Sequence, residues 1–282
     1  MLMEPKSSGV KDTTNIPINK IKPVTGTKEW AMHNKAFITG CEHDCLYCYS
    51  KAMAIRFKRN TIDNWKEEVI REKDFYNNSK KLDGKIFFPS SHDISPRNLE
   101  YSIIFLKKLL QSGNEVLVVT KPHLECIQRI CSETTDYKNQ ILFRFTIGSI
   151  DSNILKFWEP GAPDFSERLS SLIYAFNNGF ATSISSEPML DNNIEELVEK
   201  IIPFVTDAIW IGKVNRLNSC LAMNAIENPI ITKAAQNLIA LSNDSRIKQI
   251  YAEYENNPKI KWKDSIKKVV GIPLQTQKGL DV

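Results

Sequence analysis

KAFITGCEHDCLYCYS, residues 35–50, runs from a short apolar stretch straight into three cysteines, Cys41, Cys45 and Cys48. Lys35–Thr39 reads as a strand that stops at Gly40. In a parallel α/β sheet, ligands gather at the carboxyl ends of strands, and this places the cysteines there. Clustered thiolates suit zinc or an iron–sulfur centre. A structural zinc site closes with four protein ligands, commonly in two pairs. Here there is one trio, with His43 inside the same loop and no second pair of matching spacing. A four-iron cluster held by three cysteines leaves one iron for a small molecule. Three is the number expected when the fourth position is meant for substrate or cofactor.

Working outward, the same kind of apolar run recurs at 85–88 (KIFF), 115–120 (EVLVVT), 141–146 (ILFRFT), 180–184 (FATSI) and 208–211 (AIWI). Each fits a buried parallel strand. Helical patterns lie between them. Leu99, Ile103, Leu106 and Leu110 follow Ser95 as N-cap and Pro96; Leu169, Leu172, Ile173 and Phe176 precede Gly179; Ile194, Leu197, Val198 and Ile201 follow Asn192. Six strands alternating with helices predict an α/β protein with a parallel sheet and right-handed crossovers. Periodicity leaves open whether that sheet is doubly wound or a partial barrel.

Residues 1–30 carry few large apolar groups and read as a tail, 31–215 as the core, and 216–282 as a mostly helical extension packed on it. The 282 residues are 42% hydrophobic and 25% charged, with net charge +4, a soluble globular balance. MLMEPKSSGVKDTTN has no apolar core of a signal peptide, and no stretch of 18 apolar residues exists. A cytoplasmic protein with reduced thiols and no membrane span is expected. The sequence carries no signal for oligomeric state. Cys126, Cys131 and Cys220 read as buried apolar filler rather than a second cluster.

Cys41-Glu-His-Asp-Cys45-Leu-Tyr47-Cys48 resembles the C-x3-C-x-aromatic-C loop of the radical S-adenosylmethionine (SAM) enzymes. The resemblance implies a partial (β/α)6 TIM-type barrel whose first strand feeds a [4Fe-4S] loop. It also implies SAM on the open iron, and reductive cleavage to a 5′-deoxyadenosyl radical that abstracts hydrogen from a substrate. An external electron donor such as flavodoxin or ferredoxin is implied as well. Phe143–Leu169, with Glu159-Pro160-Gly161 and then Glu167-Arg168-Leu169, is similar to the fourth-strand region of spore photoproduct lyase and its photolyase-like relatives. VVTKPH at 118–123 is similar to their third-strand end.

On that resemblance Cys41, Cys45 and Cys48 hold the cluster and Tyr47 lies near the adenine. Lys121 meets the SAM carboxylate and Thr146 the ribose. Ser90, Ser91 and Asp93 replace the more usual Gly-Gly-Glu run after strand two, and Glu187 is a further acidic group at the rim. Two residues are expected on the catalytic side. Tyr49 matches an aromatic position of the lyase. Arg144 shares parity with Thr146, so it faces the barrel interior and needs a carboxylate, for which Asp93 and Glu187 are the obvious partners. The lyase places a cysteine just after strand two to return a hydrogen atom. Phe88-Pro89-Ser90-Ser91-His92-Asp93 has none.

Two basic stretches bear on the substrate. KAMAIRFKR at 51–59 follows the cysteine loop, and KIKWKDSIKK at 259–268 sets five lysines around Trp262. Basic residues with an interleaved aromatic suit a nucleic acid, whereas a charge run is more often a solvated face. A nucleic acid, for repair or modification, is one expected substrate class. A peptide or a small metabolite is the alternative for an enzyme, and a zinc-bound interaction module the alternative for a non-enzyme.

Overall fold

A computed structural model describes residues 22–281. In chain order the strands are β1 (His33–Asn34), β2 (Ile38–Thr39), β3 (Val69–Ile70), β4 (Ile86–Phe88), β5 (Val116–Thr120), β6 (Ile141–Thr146), β7 (Ala181–Ser186), β8 (Ile209–Ile211) and β9 (Ile260–Trp262). The helices are α1 (Tyr49–Arg56), α2 (Glu72–Tyr76), α3 (Leu99–Gln111), α4 (Leu124–Glu133), α5 (Ser152–Trp158) and α6 (Phe165–Asn177), then α7 (Ile194–Ile201), α8 (Leu217–Met223), α9 (Pro229–Leu241), α10 (Asp244–Tyr254) and α11 (Asp264–Val270). Seven strands form one parallel sheet in the order β1-β4-β5-β6-β7-β8-β9. Because the order never closes on itself, this is a partial barrel.

Side-chain alternation divides the core in two. Ile86, Phe88, Val116, Val118, Phe143 and Phe145 face the helices and join the large apolar cluster. Phe87, Leu117, Val119, Leu142 and Trp210 face inward with Trp30. Sequence dictates the helix starts by local capping. Asp164 accepts from the Glu167 backbone N–H at the head of α6, Asn228 caps α9 ahead of Pro229, and Asn243 caps α10. The α3 start differs from expectation. Asn98, not Ser95, flanks Leu99, and its side chain ties to Ser95 and Ser102.

Two expectations about strands are corrected. KAFIT is not the first strand of the sheet. Its Ile38–Thr39 end pairs antiparallel with Val69–Ile70 in a separate ribbon, and His33–Asn34 takes the edge beside β4. Arg71 holds that ribbon, donating to the carbonyls of Ala36 and Ile38. The second correction concerns KIKWKDSIKK. It supplies β9, the seventh strand, in register with β8 (Ile209 opposite Ile260, Ile211 opposite Trp262). The region from 216 onward is mostly helical, as expected, but it also completes the sheet.

The N-terminal end of the sheet is plugged by both ends of the described chain. Val24 N–H donates to Gln275 O, Gly279 N–H to Lys28 O and Asp281 N–H to Glu29 O. Arg144, fully buried, reaches this plug. Its guanidinium meets Asp281 at 3.0 Å and Asp207 at 3.0 Å, and lies 4.9 Å from the Trp30 ring centroid. Its inward direction is as expected, but its partners are neither Asp93 nor Glu187. Arg144 ties β6 to the floor of the barrel, away from the carboxyl ends of the strands. The assignment of a catalytic role is therefore replaced by a structural one.

Candidate cofactor site

The cysteine loop connects β2 to α1 and is buried by its neighbours. Cys41 N–H donates to Trp65 O, and Leu46 N–H to Trp158 O. Gly161 lets the Glu159-Pro160-Gly161 turn lie against the loop. A Cβ there would stand 2.3 Å from Glu42 O, and the Gly161 N–H donates to His43 O. From the other side Asn224, at the end of α8, donates to the carbonyls of Leu46 and Cys48. These braces explain why a turn more than a hundred residues away carries fixed chemistry.

Cys41, Cys45 and Cys48 share one cavity of ≈ 290 Å³ with residues from successive strand ends. These are Ser90 to Asp93 after β4, Lys121 after β5, Thr146 at the end of β6, Glu187 after β7 and Lys213 after β8. Phe87 and Val119 form its apolar floor. The eight sequence-derived residues other than Arg144 and the three cysteines, namely Tyr47, Tyr49, Ser90, Ser91, Asp93, Lys121, Thr146 and Glu187, all line this cavity.

Charge in the cavity is organised around Asp93. Its Oδ1 accepts from Thr120 Oγ1 at 2.9 Å and from the Lys121 N–H at 2.8 Å. Its Oδ2 lies 3.1 Å from His43 Nδ1 and 3.5 Å from Lys121 Nζ. Burial works against ionisation of Asp93, but Lys121 and His43 outweigh it and hold the carboxyl well below its usual range. For Lys121 burial likewise opposes charge. Asp93 overcomes it and raises the ammonium well above its usual value. Desolvation raises all three loop thiols, and their neighbours Asp93 and Glu159 add to this for Cys41 and Cys45 respectively. Such thiols ionise only with a positive partner, which a bound metal centre provides. Three soft sulfur donors on one cavity, two buried and Cys48 half-buried, fit a cluster with three protein ligands.

His43 is not a natural fourth ligand. Its Nδ1 faces Asp93, and its Nε2 lies 3.0 Å from His123 Nε2. Cys41, His43 and Asp93 do place ligand atoms within 4.8 Å of one another, but two of the three are already engaged in these contacts.

Several contributors were invisible to a reading of motifs as labels. Glu159 and Arg168 are fully buried and paired at 2.5 Å, and the Tyr47 hydroxyl donates to Glu159. Arg168 also donates to Thr146 O at 3.1 Å, so one ion pair fixes both Tyr47 and the end of β6. Lys263 of the β9–α11 junction is fully buried, pairs with Glu29 at 2.5 Å and lies 3.5 Å from Glu187. Burial pushes the Glu187 carboxyl up, and Lys263 opposes that. His92 lines the cavity with neither ring nitrogen hydrogen-bonded among the described residues. The remaining cysteines, Cys126, Cys131 and Cys220, are buried and none lines this cavity.

No protein-family model matches the chain. An uncharacterised protein, ORF301 of Acidianus two-tailed virus, is 24% identical over 195 residues, which is 63% of each chain. Among solved structures, spore photoproduct lyase complexed with dinucleoside spore photoproduct superposes with a TM-score of 0.51 at 14% identity. The match covers 75% of this chain and 66% of that one. A variant of the same lyase gives 0.53 at 12% identity over 86% and 79%. Streptococcus suis SuiB bound to S-adenosylmethionine gives 0.51 at 11% identity over 86% of this chain and 52% of that one. The chain thus spans about two thirds or less of the curated relative and of two of these three structures. Its seven-stranded partial barrel, with the cysteine loop at the strand ends, therefore shares its fold with spore photoproduct lyase and SuiB.

Proposed function

We propose that the chain is a radical SAM enzyme whose cluster is held by Cys41, Cys45 and Cys48. The observation that carries this is the single cavity in which three thiols, two buried and one half-buried, face a lysine held by a half-buried aspartate. A four-iron cluster on these thiolates, with SAM beside it, would supply one-electron reductive cleavage of the sulfonium and hydrogen abstraction from a substrate. The chain's own residues bind and orient. Lys121, fixed through Asp93, meets the SAM carboxylate. Asp93 Oδ2, Ser90 and Ser91 serve the amino group, and Thr146 the ribose. Tyr47, fixed by Glu159, flanks the adenine. Phe87 and Val119 keep the floor dry, which strengthens each of these charge contacts. Glu187 and Tyr49 lie on the side open to substrate.

The substrate we favour is a nucleic acid, acted on in the cytoplasm with a flavodoxin- or ferredoxin-type donor. Efficient repair of a spore thymine dimer is not expected. Among the described residues no cysteine beyond the cluster trio lines the cavity, so a thiol hydrogen donor is lacking. Incubation of reconstituted protein with dinucleotide spore photoproduct should release 5′-deoxyadenosine without restoring thymines. Many turnovers of repair with little deoxyadenosine would overturn this.

The cluster itself is tested by iron and sulfide content after anaerobic reconstitution. Cys41→Ala, Cys45→Ala and Cys48→Ala should each abolish four-iron loading. Cys126→Ala, Cys131→Ala and Cys220→Ala should leave it unchanged. Full loading of Cys45→Ala would sink the assignment, and stoichiometric zinc in its place would favour an interaction module.

A further inference from the structure

The cofactor cavity does not end at its own walls. It shares Tyr49, Ser50, Trp65, Ser90 and Ser91 with a second cavity of ≈ 560 Å³. That one shares Asn34, Arg59, Arg71, Ser90 and Ser91 with a third of ≈ 430 Å³. Together they form a continuous groove. It leaves the cysteine loop between α1 and the segment after β4, and runs out past Arg59 and Lys35.

Beyond the cofactor cavity the groove is lined by three cations, Lys35, Arg59 and Arg71, and one carboxylate, Asp74. Arg71 is scaffold. It pairs with Asp74 at 2.6 Å and spends its other N–H groups on Ala36 O, Ile38 O and Thr39 Oγ1. Lys35 and Arg59 are exposed, and neither has an ion pair among the described residues. Arg59 is nonetheless well placed. Its N–H closes on Ala54 O and that of Lys58 on Ile55 O, the two bonds that end α1 in a Schellman turn. The aromatic component lies beside the charge. Tyr49 is 51% exposed where the first two cavities join, and Phe57 is 58% exposed with the Arg59 guanidinium 5.5 Å from its ring centroid.

We propose that this groove is a track for a single nucleic-acid strand, with Arg59 and Lys35 on backbone phosphates and Tyr49 stacking a base at the turn into the cofactor cavity. Free cations alternating with exposed aromatic faces are what a phosphate-and-base repeat requires. An acidic peptide would use the cations and leave the rings without a partner. The inference rests on the radical-enzyme reading for its destination, but its binding step is measured separately.

The test is fluorescence anisotropy of reconstituted protein with labelled single-stranded DNA and RNA of one sequence, across a salt series. Arg59→Ala with Lys35→Ala should weaken binding at least tenfold at low salt. It should also reduce the slope of log affinity against log salt by about 1.4, at roughly 0.7 per contact on a single strand. Lys248→Ala, exposed on α10, is the control and should do neither. Preference for DNA or for RNA decides between two sources of the same phosphodiester chemistry, and either supports the track. Unchanged affinity and slope in the double variant would overturn it. So would no binding by the unsubstituted protein, or an equal loss measured with poly-glutamate in place of the strand. SAM cleavage is scored in the unsubstituted preparation. Its absence would count against the reaction proposed above and leave the binding result standing.

Discussion

KAMAIRFKR (51–59) and KIKWKDSIKK (259–268) look alike as sequence: four and five cations, each with one embedded aromatic. The fold uses them in opposite ways. The second becomes β9. Its Trp262 is 7% exposed and packs on Tyr251, and Lys261 and Lys263 turn toward the barrel axis and the plug. Lys261 donates to Asp281 O, Lys263 pairs with Glu29, and Lys259 donates to Val205 O. Among the cations of the first stretch only Lys51 is buried, against Asp44 at 2.8 Å. Arg56, Phe57, Lys58 and Arg59 stand in solvent, and Arg59 lines the groove. Cation count therefore says little about a polyanion surface until the period is read. Lys-Ile-Lys-Trp-Lys alternates strictly, which is a strand with one polar face. Removing one cation from each stretch should separate the two.

The largest effect belongs to the interior. Lys263→Met leaves Glu29 buried without its cation, and should cost about 3–5 kcal/mol of unfolding free energy in urea. Adding Glu29→Gln should return part of that, because the uncompensated charge is gone. A loss below 1 kcal/mol for Lys263→Met would break the comparison, since it would mean that β9 tolerates its lysines as freely as a surface does.

A second buried base sharpens it. His92 has no carboxylate partner of the Lys263 kind, and Phe37 and Phe88 face its ring edge-on. Burial pushes the imidazole down to about 3 from its ordinary 6.5. The folded pKa lies below the unfolded one, so the neutral ring contributes stability that is complete above pH 6.5 and lost as pH falls toward 3. By pH 4 that amounts to roughly 3 kcal/mol. Urea midpoints of cluster-free protein at pH 7 and pH 4 should converge in His92→Phe relative to the parent. A parallel pH loss in both would assign the acid sensitivity elsewhere.

Lys121 stands between these extremes, half-buried where Lys263 is fully buried, and facing a cavity like Arg59. Lys121→Ala should keep the cluster and weaken SAM binding by about 1.5–3 kcal/mol, one charge-assisted contact, measured by calorimetry on reconstituted protein. Unchanged affinity would mean that Asp93, not the cofactor, is the only partner that Lys121 has.

The cysteine loop, its cavity partners and most strands were legible because each is local: a spacing, an apolar run, a strand end. What was not legible depends on distant chain. Strand one is missed because His33–Asn34 carries no apolar pattern, while the more strand-like Ile38–Thr39 is drawn off to β3. The inward parity of Arg144 could be read from its strand, but its partner Asp281 lies 137 residues on, where the C-terminal segment folds back under the barrel. Glu159 and Arg168 were visible as a motif, yet only packing shows that the pair holds Tyr47 and the end of β6. The lysines of β9 were readable by alternation, a signal that composition obscured.

The smallest effect tests whether charge or position matters in the surface stretch. Lys58 and Arg59 are adjacent cations, but only Arg59 lines the groove. Lys58 sits at the left-handed position of the α1 turn, with φ of 54°. A side chain there crowds the following carbonyl, and glycine is the residue that relieves it. Lys58→Gly should therefore raise stability by about 0.5–1 kcal/mol, seen as a higher melting temperature. Its loss of nucleic-acid affinity should be clearly smaller than that of Arg59→Ala, although each removes one unit of charge. Equal losses would show a diffuse positive field acting through counterion release alone. Residues 51–59 would then be a charged face without a track, and the contrast with β9 would reduce to burial.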